Sequence, residues 1–232
     1  MIRVQGLAKY FGRFSALRRL ELDVLPGQFV ALFGRNGAGK TTFLRILAGL
    51  TRPSAGSVEV RSPEPRPPQA ARGLIGYLSH NTALYMDLTA LENLRFYARL
   101  MSLPMGDDGL MQRIQRAGLG GREHEPVRNY SRGMQQRLAI ARAFLHDPAI
   151  LLLDEPFTGL DQGGTGFLRE YLSSAHGGGK TCLMAIHDVA LGYELADRLV
   201  VIERGVVALD LPRRDVSLEE FQRQYGEIAK EH

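Results

Sequence analysis

Apolar and polar positions change period several times along the 232-residue chain. Ile2–Val4, Glu21–Leu25 and Gln28–Phe33 read as strands, and Val58–Arg61 and Leu74–Leu78 as two more. Between them, Thr41–Leu50 sets Phe43, Leu44, Leu47 and Leu50 at helical spacing. Ser62–Gln69 holds Pro63, Pro65, Pro67 and Pro68 and reads as a solvent loop, because proline lacks the amide that regular structure needs. From residue 89 the period is helical. Thr89-Ala90-Leu91-Glu92 forms a capping box that opens a helix to about Met101, and Pro104-Met105-Gly106 interrupts it. Asp107–Ala117 fits a second helix. Arg132–His146 fits a third, with Met134, Leu138, Ala141 and Leu145 along one face. Ala149–Leu153 and Thr181–Ile186 are short, continuous apolar runs of the kind found in buried parallel strands. Leu199–Glu203 and Val206–Leu209 suggest a hairpin around Arg204-Gly205, and Ser217–Ala229 an amphipathic terminal helix. Strands alternating with helices predict an α/β fold, with a helical insert over residues 82–146 in a core made of 1–81 and 147–232.

Composition narrows the class without choosing a function. Apolar residues make up 44% and charged residues 23%, which excludes a disordered tail, a fibre or a disulfide scaffold. The single cysteine, Cys182, has no partner within the chain. Met1–Gly6 carries no apolar signal core, and no apolar run approaches the roughly 20 residues that span a bilayer. The expectation is a chain soluble by itself. Net charge is +4, but residues 1–149 hold 21 basic against 11 acidic side chains, and residues 150–232 hold 8 against 14. The basic part suits an anionic ligand, with nucleic acid one candidate, or is simply a solvated surface.

Two motifs sharpen the choice. Gly34-Arg35-Asn36-Gly37-Ala38-Gly39-Lys40-Thr41, followed by Thr42, fits the G-x-x-x-x-G-K-[ST] phosphate loop and sits between a strand and a helix. Glycines let the backbone wrap a phosphate, successive N–H groups make an anion nest, and the helix N-terminus adds its positive end. Lys40 can reach the β- and γ-phosphates of ATP, and the Thr41 hydroxyl can ligate Mg²⁺. The second motif is Ile150-Leu151-Leu152-Leu153-Asp154-Glu155, a buried strand with two carboxylates at its C-terminal end, where open α/β sheets bind ligands. Asp154 is a candidate for the metal, and Glu155 for the general base that polarises water.

Tyr130-Ser131-Arg132-Gly133-Met134-Gln135-Gln136-Arg137 resembles the signature motif of ATP-binding cassette (ABC) ATPases. It keeps Ser131, Gly133 and Gln135 and departs from the common L-S-G-G-Q at Tyr130, Arg132 and Met134. The resemblance spans about residues 2–210. It implies a P-loop ATPase core with a small antiparallel β part and an inserted helical part. It also implies a homodimer that closes head-to-tail on two ATP molecules, with Ser131 and Gly133 facing the partner's γ-phosphate. Thr158-Gly159-Leu160-Asp161 resembles the loop that crosses that interface, His187 the histidine that contacts the γ-phosphate, and Tyr10, 24 residues before Gly34, the aromatic that stacks on adenine. A metal-contacting glutamine is expected after the Ile75–Leu78 strand; His80 stands there, as an alternative metal ligand or a structural or partner-facing residue.

The resemblance further implies a membrane permease docked near residues 80–97, at the inner face of the cell membrane, where Ala83–Leu88 is apolar with an aromatic. Residues 88–98, with 131–137, 154–161 and the histidine at 80, are similar to the ATPase subunit of the haem exporter of cytochrome c maturation. Drug and polysaccharide exporters share much of that pattern, and soluble ABC ATPases of iron–sulfur assembly stay open as an alternative. No heptad run marks the inserted coiled coils of DNA-repair ATPases, so no nucleic acid partner is expected.

Overall fold

The computed structural model describes residues 1–61, 73–79 and 81–230, so the proline-rich stretch and His80 lie outside the described residues. Two sheets organise the chain. The first is antiparallel, in the order β2-β1-β4, from β1 (Ile2–Phe11), β2 (Phe14–Val24) and β4 (Ala55–Val60). Its first two strands run well past the sequence expectation, to the turn at Gly12-Arg13. Register shifts between Val4 and Leu7, and again on to Lys9 and Tyr10, break the two-residue alternation that would announce a long strand.

The second sheet has six strands in the order β5-β6-β7-β3-β8-β9. These are β3 (Phe29–Phe33), β5 (Ile75–Leu78), β6 (Ile150–Asp154), β7 (Thr181–Ala185), β8 (Arg198–Glu203) and β9 (Val206–Pro212). All neighbours pair in parallel except β8 with β9, which form the expected hairpin. Every residue of β3, β6 and β7 is buried, as continuous apolar runs require. Cys182, in β7, is wholly enclosed, and burial pushes its thiol pKa far up.

Seven α-helices complete the described residues: α1 (Lys40–Leu47), α2 (Ala90–Leu100), α3 (Asp107–Arg116), α4 (Arg132–Ala143), α5 (Gln162–Gly177), α6 (Val189–Leu195) and α7 (Leu218–Lys230). One core packs α1 between the two sheets, around Leu17, Leu32, Phe43 and Leu152. A second, around Phe33, Leu153, Leu168 and Phe221, covers the opposite face of the large sheet. A third joins α2, α3 and α4 through Leu94, Leu110, Ile114 and Leu138. Helix α4 serves two of them: Ala139, Ile140 and Ala143 enter the second core, and Leu138 and Ala141 the third, which Leu145 joins from the turn after the helix.

Candidate functional site

Strands β3, β6 and β7 are neighbours, so the segments leaving their C-terminal ends meet. After β3 comes the glycine-rich loop. Gly34, Gly37 and Gly39 have φ of 145°, 83° and 111°, a region costly for side chains. Space also demands glycine: a Cβ on Gly34 would strike the Ile202 carbonyl, and one on Gly39 would lie 2.6 Å from the Ala16 carbonyl oxygen. The turn is pinned by Ala38 N–H donating to Arg35 O (3.1 Å) and Gly205 N–H donating to Ala38 O (2.9 Å). It opens onto a cavity of about 410 Å³ lined by Arg35, Asn36, Gly37, Ala38, Gly39, Lys40, Thr41 and Thr42, and also by Glu155.

Lys40 opens α1 yet is almost fully buried. Its Nζ donates to Gly34 O (2.6 Å) and Arg35 O (3.2 Å), so the lysine braces the loop that it belongs to. Burial pulls its ammonium below the ordinary range, while Glu155, Asp154 and Glu203 act in the opposite direction. Thr41 Oγ1 donates to Asp154 Oδ1 at 3.0 Å. A hydroxyl and a carboxylate in contact are the hard oxygen donors that a magnesium ion takes beside phosphates, so these residues fit that ion.

Glu155 follows β6 with φ 53° and hydrogen-bonds through its N–H to Ala185 O at the end of β7 (3.0 Å). His187, two residues beyond Ala185, brings Nε2 to 2.6 Å from Glu155 Oε1. Phosphate loop, Thr41, Asp154, Glu155 and His187 are thus assembled within one chain.

The signature residues lie apart from that cavity. Ser131 caps α4, its Oγ accepting from Met134 N–H (3.3 Å). Gly133 faces the Asp161 carboxylate, which a Cβ would approach to 2.9 Å. Asp161 itself caps α5, accepting from Gly164 N–H (2.7 Å), and lies 3.6 Å from Arg137. Gln135 turns its amide back onto the carbonyls of Val127 and Tyr130 (3.3 and 3.2 Å). Gln135 and Arg132 line a second cavity, of about 390 Å³, with Asn81, Thr82 and Thr158; Glu155 borders both cavities.

Tyr10 is not among the residues around the first cavity. It pairs with Ser15 and is half exposed. Phe14 and Ala16 form that edge instead, with Phe11 opposite Phe14 across the Gly12-Arg13 turn. An aromatic on each side of a glycine turn was the available sequence signal.

The family profile described as ABC transporter matches residues 17–158. This chain belongs to the ABC transporter family. Among curated relatives of this ABC chain, an uncharacterized ABC transporter ATP-binding protein of Bacillus subtilis is 35% identical over 213 residues, 91% of this chain and 69% of that protein. A Nod factor export ATP-binding protein of Cupriavidus metallidurans is 36% identical over 209 residues, 88% and 69%. A sulfate/thiosulfate import ATP-binding protein of Rhizobium meliloti is 36% identical over 216 residues, 89% and 58%. The chain therefore spans 58–69% of the length of these three. A solved ATP-binding subunit of an ABC transporter superposes with a TM-score of 0.86 at 28% identity, covering 99% of this chain and all of that one. A dimeric ATP-binding cassette in a post-hydrolysis state, bound to ADP and Pi, superposes at 0.80 with 26% identity, covering 92% and 99%. The ABC chain is accordingly an ATP-binding and ATP-hydrolysing transporter subunit with the P-loop α/β fold of that family. Among its described residues no helix is long and apolar enough to cross a membrane.

Proposed function

We propose that two copies of this chain close on two ATP molecules and drive a membrane permease docked beside residues 80–97. The observation that carries this reading is the gathering of Lys40, Thr41, Asp154, Glu155 and His187 at one end of three adjacent strands. In this reading the loop amides of 34–41 and Lys40 hold the phosphates. Thr41 and Asp154 hold magnesium, which supplies charge neutralisation to the phosphate oxygens when bound. Glu155 orients the attacking water, and His187 holds the Glu155 carboxylate until it turns to the γ-phosphate. Ser131 and Gly133 then complete the partner's site. They stand outside this chain's own phosphate cavity, and the helix N-terminus they open favours negative charge. The dimeric solved cassette is consistent with that arrangement.

A docking face at 80–97 is supported by exposed Tyr85, Met86 and Phe96. Export and import relatives are equally similar, so the cargo is assigned to the permease rather than to this chain. The narrower likeness to haem exporter subunits rests on the sequence of residues 88–98, 131–137 and 154–161 and on the histidine at position 80, and co-purification with a haem-carrying permease tests it.

The deciding experiment is Glu155→Gln in the purified chain. ATP binding by calorimetry stays near the parental value, turnover falls by about a thousandfold, and ATP shifts the elution volume to that of a dimer. Parental turnover in the variant removes Glu155 from the reaction.

A further inference from the structure

Strand β5 ends the large sheet, so one edge of it has no neighbouring strand among the described residues. Its carbonyls do not go unmet. His146 Nε2 donates to Ile75 O at 3.1 Å, and Arg142 Nη2 donates to Tyr77 O at 3.4 Å. Arg142 stands in the last turn of α4 and His146 in the turn that follows it, so the end of one helix meets both carbonyls. The acceptor at Ile75 requires a proton on His146 Nε2. The other ring nitrogen is buried without a partner among the described residues, and burial pulls the imidazole pKa down, which keeps it neutral. The contact has no slack. A Cβ on Gly76 would come within 2.6 Å of Pro148 Cγ and 2.8 Å of Ala143 O.

On its other side the Arg142 guanidinium stands over the Tyr97 ring, 5.1 Å from its centroid. The Tyr97 hydroxyl donates to Ala83 O at 2.5 Å, and its ring meets Phe96 edge-on at 5.3 Å. Phe96 in turn meets Tyr85 at 4.9 Å. Tyr85 and Phe96 are two of the exposed aromatics of the proposed docking face. Towards the ATP site, Tyr77 and Leu78 pair with Leu152 and Leu153, and β6 ends one residue later at Asp154. Burial, reinforced by Asp154, pushes the Tyr77 hydroxyl pKa up to about 12. Past β5, Asn81 and Thr82 border the cavity that Glu155 shares.

We infer that Arg142 is a positioning residue for ATP hydrolysis: clamped to β5 and seated on Tyr97, it makes the aromatic corner at 85–97 and the strand beside Asp154 move as one piece. A displacement of the corner then reaches Asp154 and Glu155 through Tyr97, Arg142 and the Tyr77 carbonyl, without passing through the nucleotide. The inference rests on the catalytic placement of Asp154 and Glu155 proposed above. Parental turnover in Glu155→Gln would remove that placement, whereas the cycle below addresses the coupling alone.

The test is a double-mutant cycle on the purified full chain with Arg142→Met and Tyr97→Leu. ATP turnover, ATP affinity by calorimetry and thermal midpoint are all measured. Each single variant lowers kcat by about tenfold, the double variant falls no further, and ATP affinity stays within about twofold of the parent. Tyr97→Phe, which keeps the ring under the guanidinium, retains more than about half of the parental kcat. A residue that merely supports the fold would lower the midpoint and leave kcat below it unchanged. Additive losses, or a Tyr97→Leu variant with parental kcat, overturn the inference. Should Arg142→Met fail to fold, Tyr97→Leu against Tyr97→Phe decides: equal turnover in the two overturns it.

Discussion

Lys40 is bonded within its own loop, and this sets what its loss does. Its ammonium ties together the Gly34 and Arg35 carbonyls, so Lys40→Ala removes both the brace of the loop and the cation that phosphates would meet. Two hydrogen bonds to a charged group are worth about 1.5–3 kcal/mol each. ATP affinity measured by calorimetry is therefore expected to fall by at least about a hundredfold, and a titration matching the parent contradicts this role. At this scale the sequence was most legible where the chemistry is local. The 34–41 spacing and the 154–155 pair need only a strand before them, and each lies at the end of its strand. The aromatic that lines the cavity was less so, because whether Tyr10 or Phe14 does so depends on which strand face each occupies. The register shifts of β1 and β2 decide that, and no residue pattern displays them. Gln135 is similar. Its place in the motif says nothing of the two carbonyls that hold its amide.

Elements whose ends are written in short-range hydrogen bonds were legible too. Thr89 caps α2 in a full box, accepting from Glu92 N–H at 3.1 Å while the Glu92 carboxylate accepts from Thr89 N–H at 2.8 Å. Thr89→Ala is expected to cost about 1 kcal/mol in denaturant unfolding. An unchanged midpoint would mean that the bridge between Thr89 and Pro126 holds the helix start without the cap. Helix α5 was not legible. Gly163, Gly164 and Gly166 dilute its first turns. At Gly164 the dilution is obligatory, because a Cβ would meet Leu160 Cδ2 at 2.8 Å and the Asp161 carboxylate at 3.0 Å. The pattern that hides the helix is the one that lets it start against the 158–161 loop.

At the level of the whole molecule, α4 is shared between two cores. A sequence division at 82–146 assigns the helix to one body, yet its Ile140 and Leu138 belong to different cores. Leu138→Ala and Ile140→Ala are each expected to cost about 2–5 kcal/mol. Both are expected to lower a single shared unfolding transition, followed by circular dichroism and calorimetry. Two separated transitions, with Leu138→Ala moving only one, would show that the cores come apart independently. Helical periodicity found α4 but could not disclose this sharing, because residues one position apart point into cores built from distant segments.

The enclosed sulfur of Cys182 has a practical corollary. It sits between β3 and β6, and the chain has no other thiol. A modifying reagent in solvent meets it only when the large sheet parts, so its labelling rate is an intrinsic clock for wholesale opening. Against that silent background, any cysteine introduced on the surface becomes the one fast-reacting position. The native sequence thus accepts single-site probes with nothing first removed.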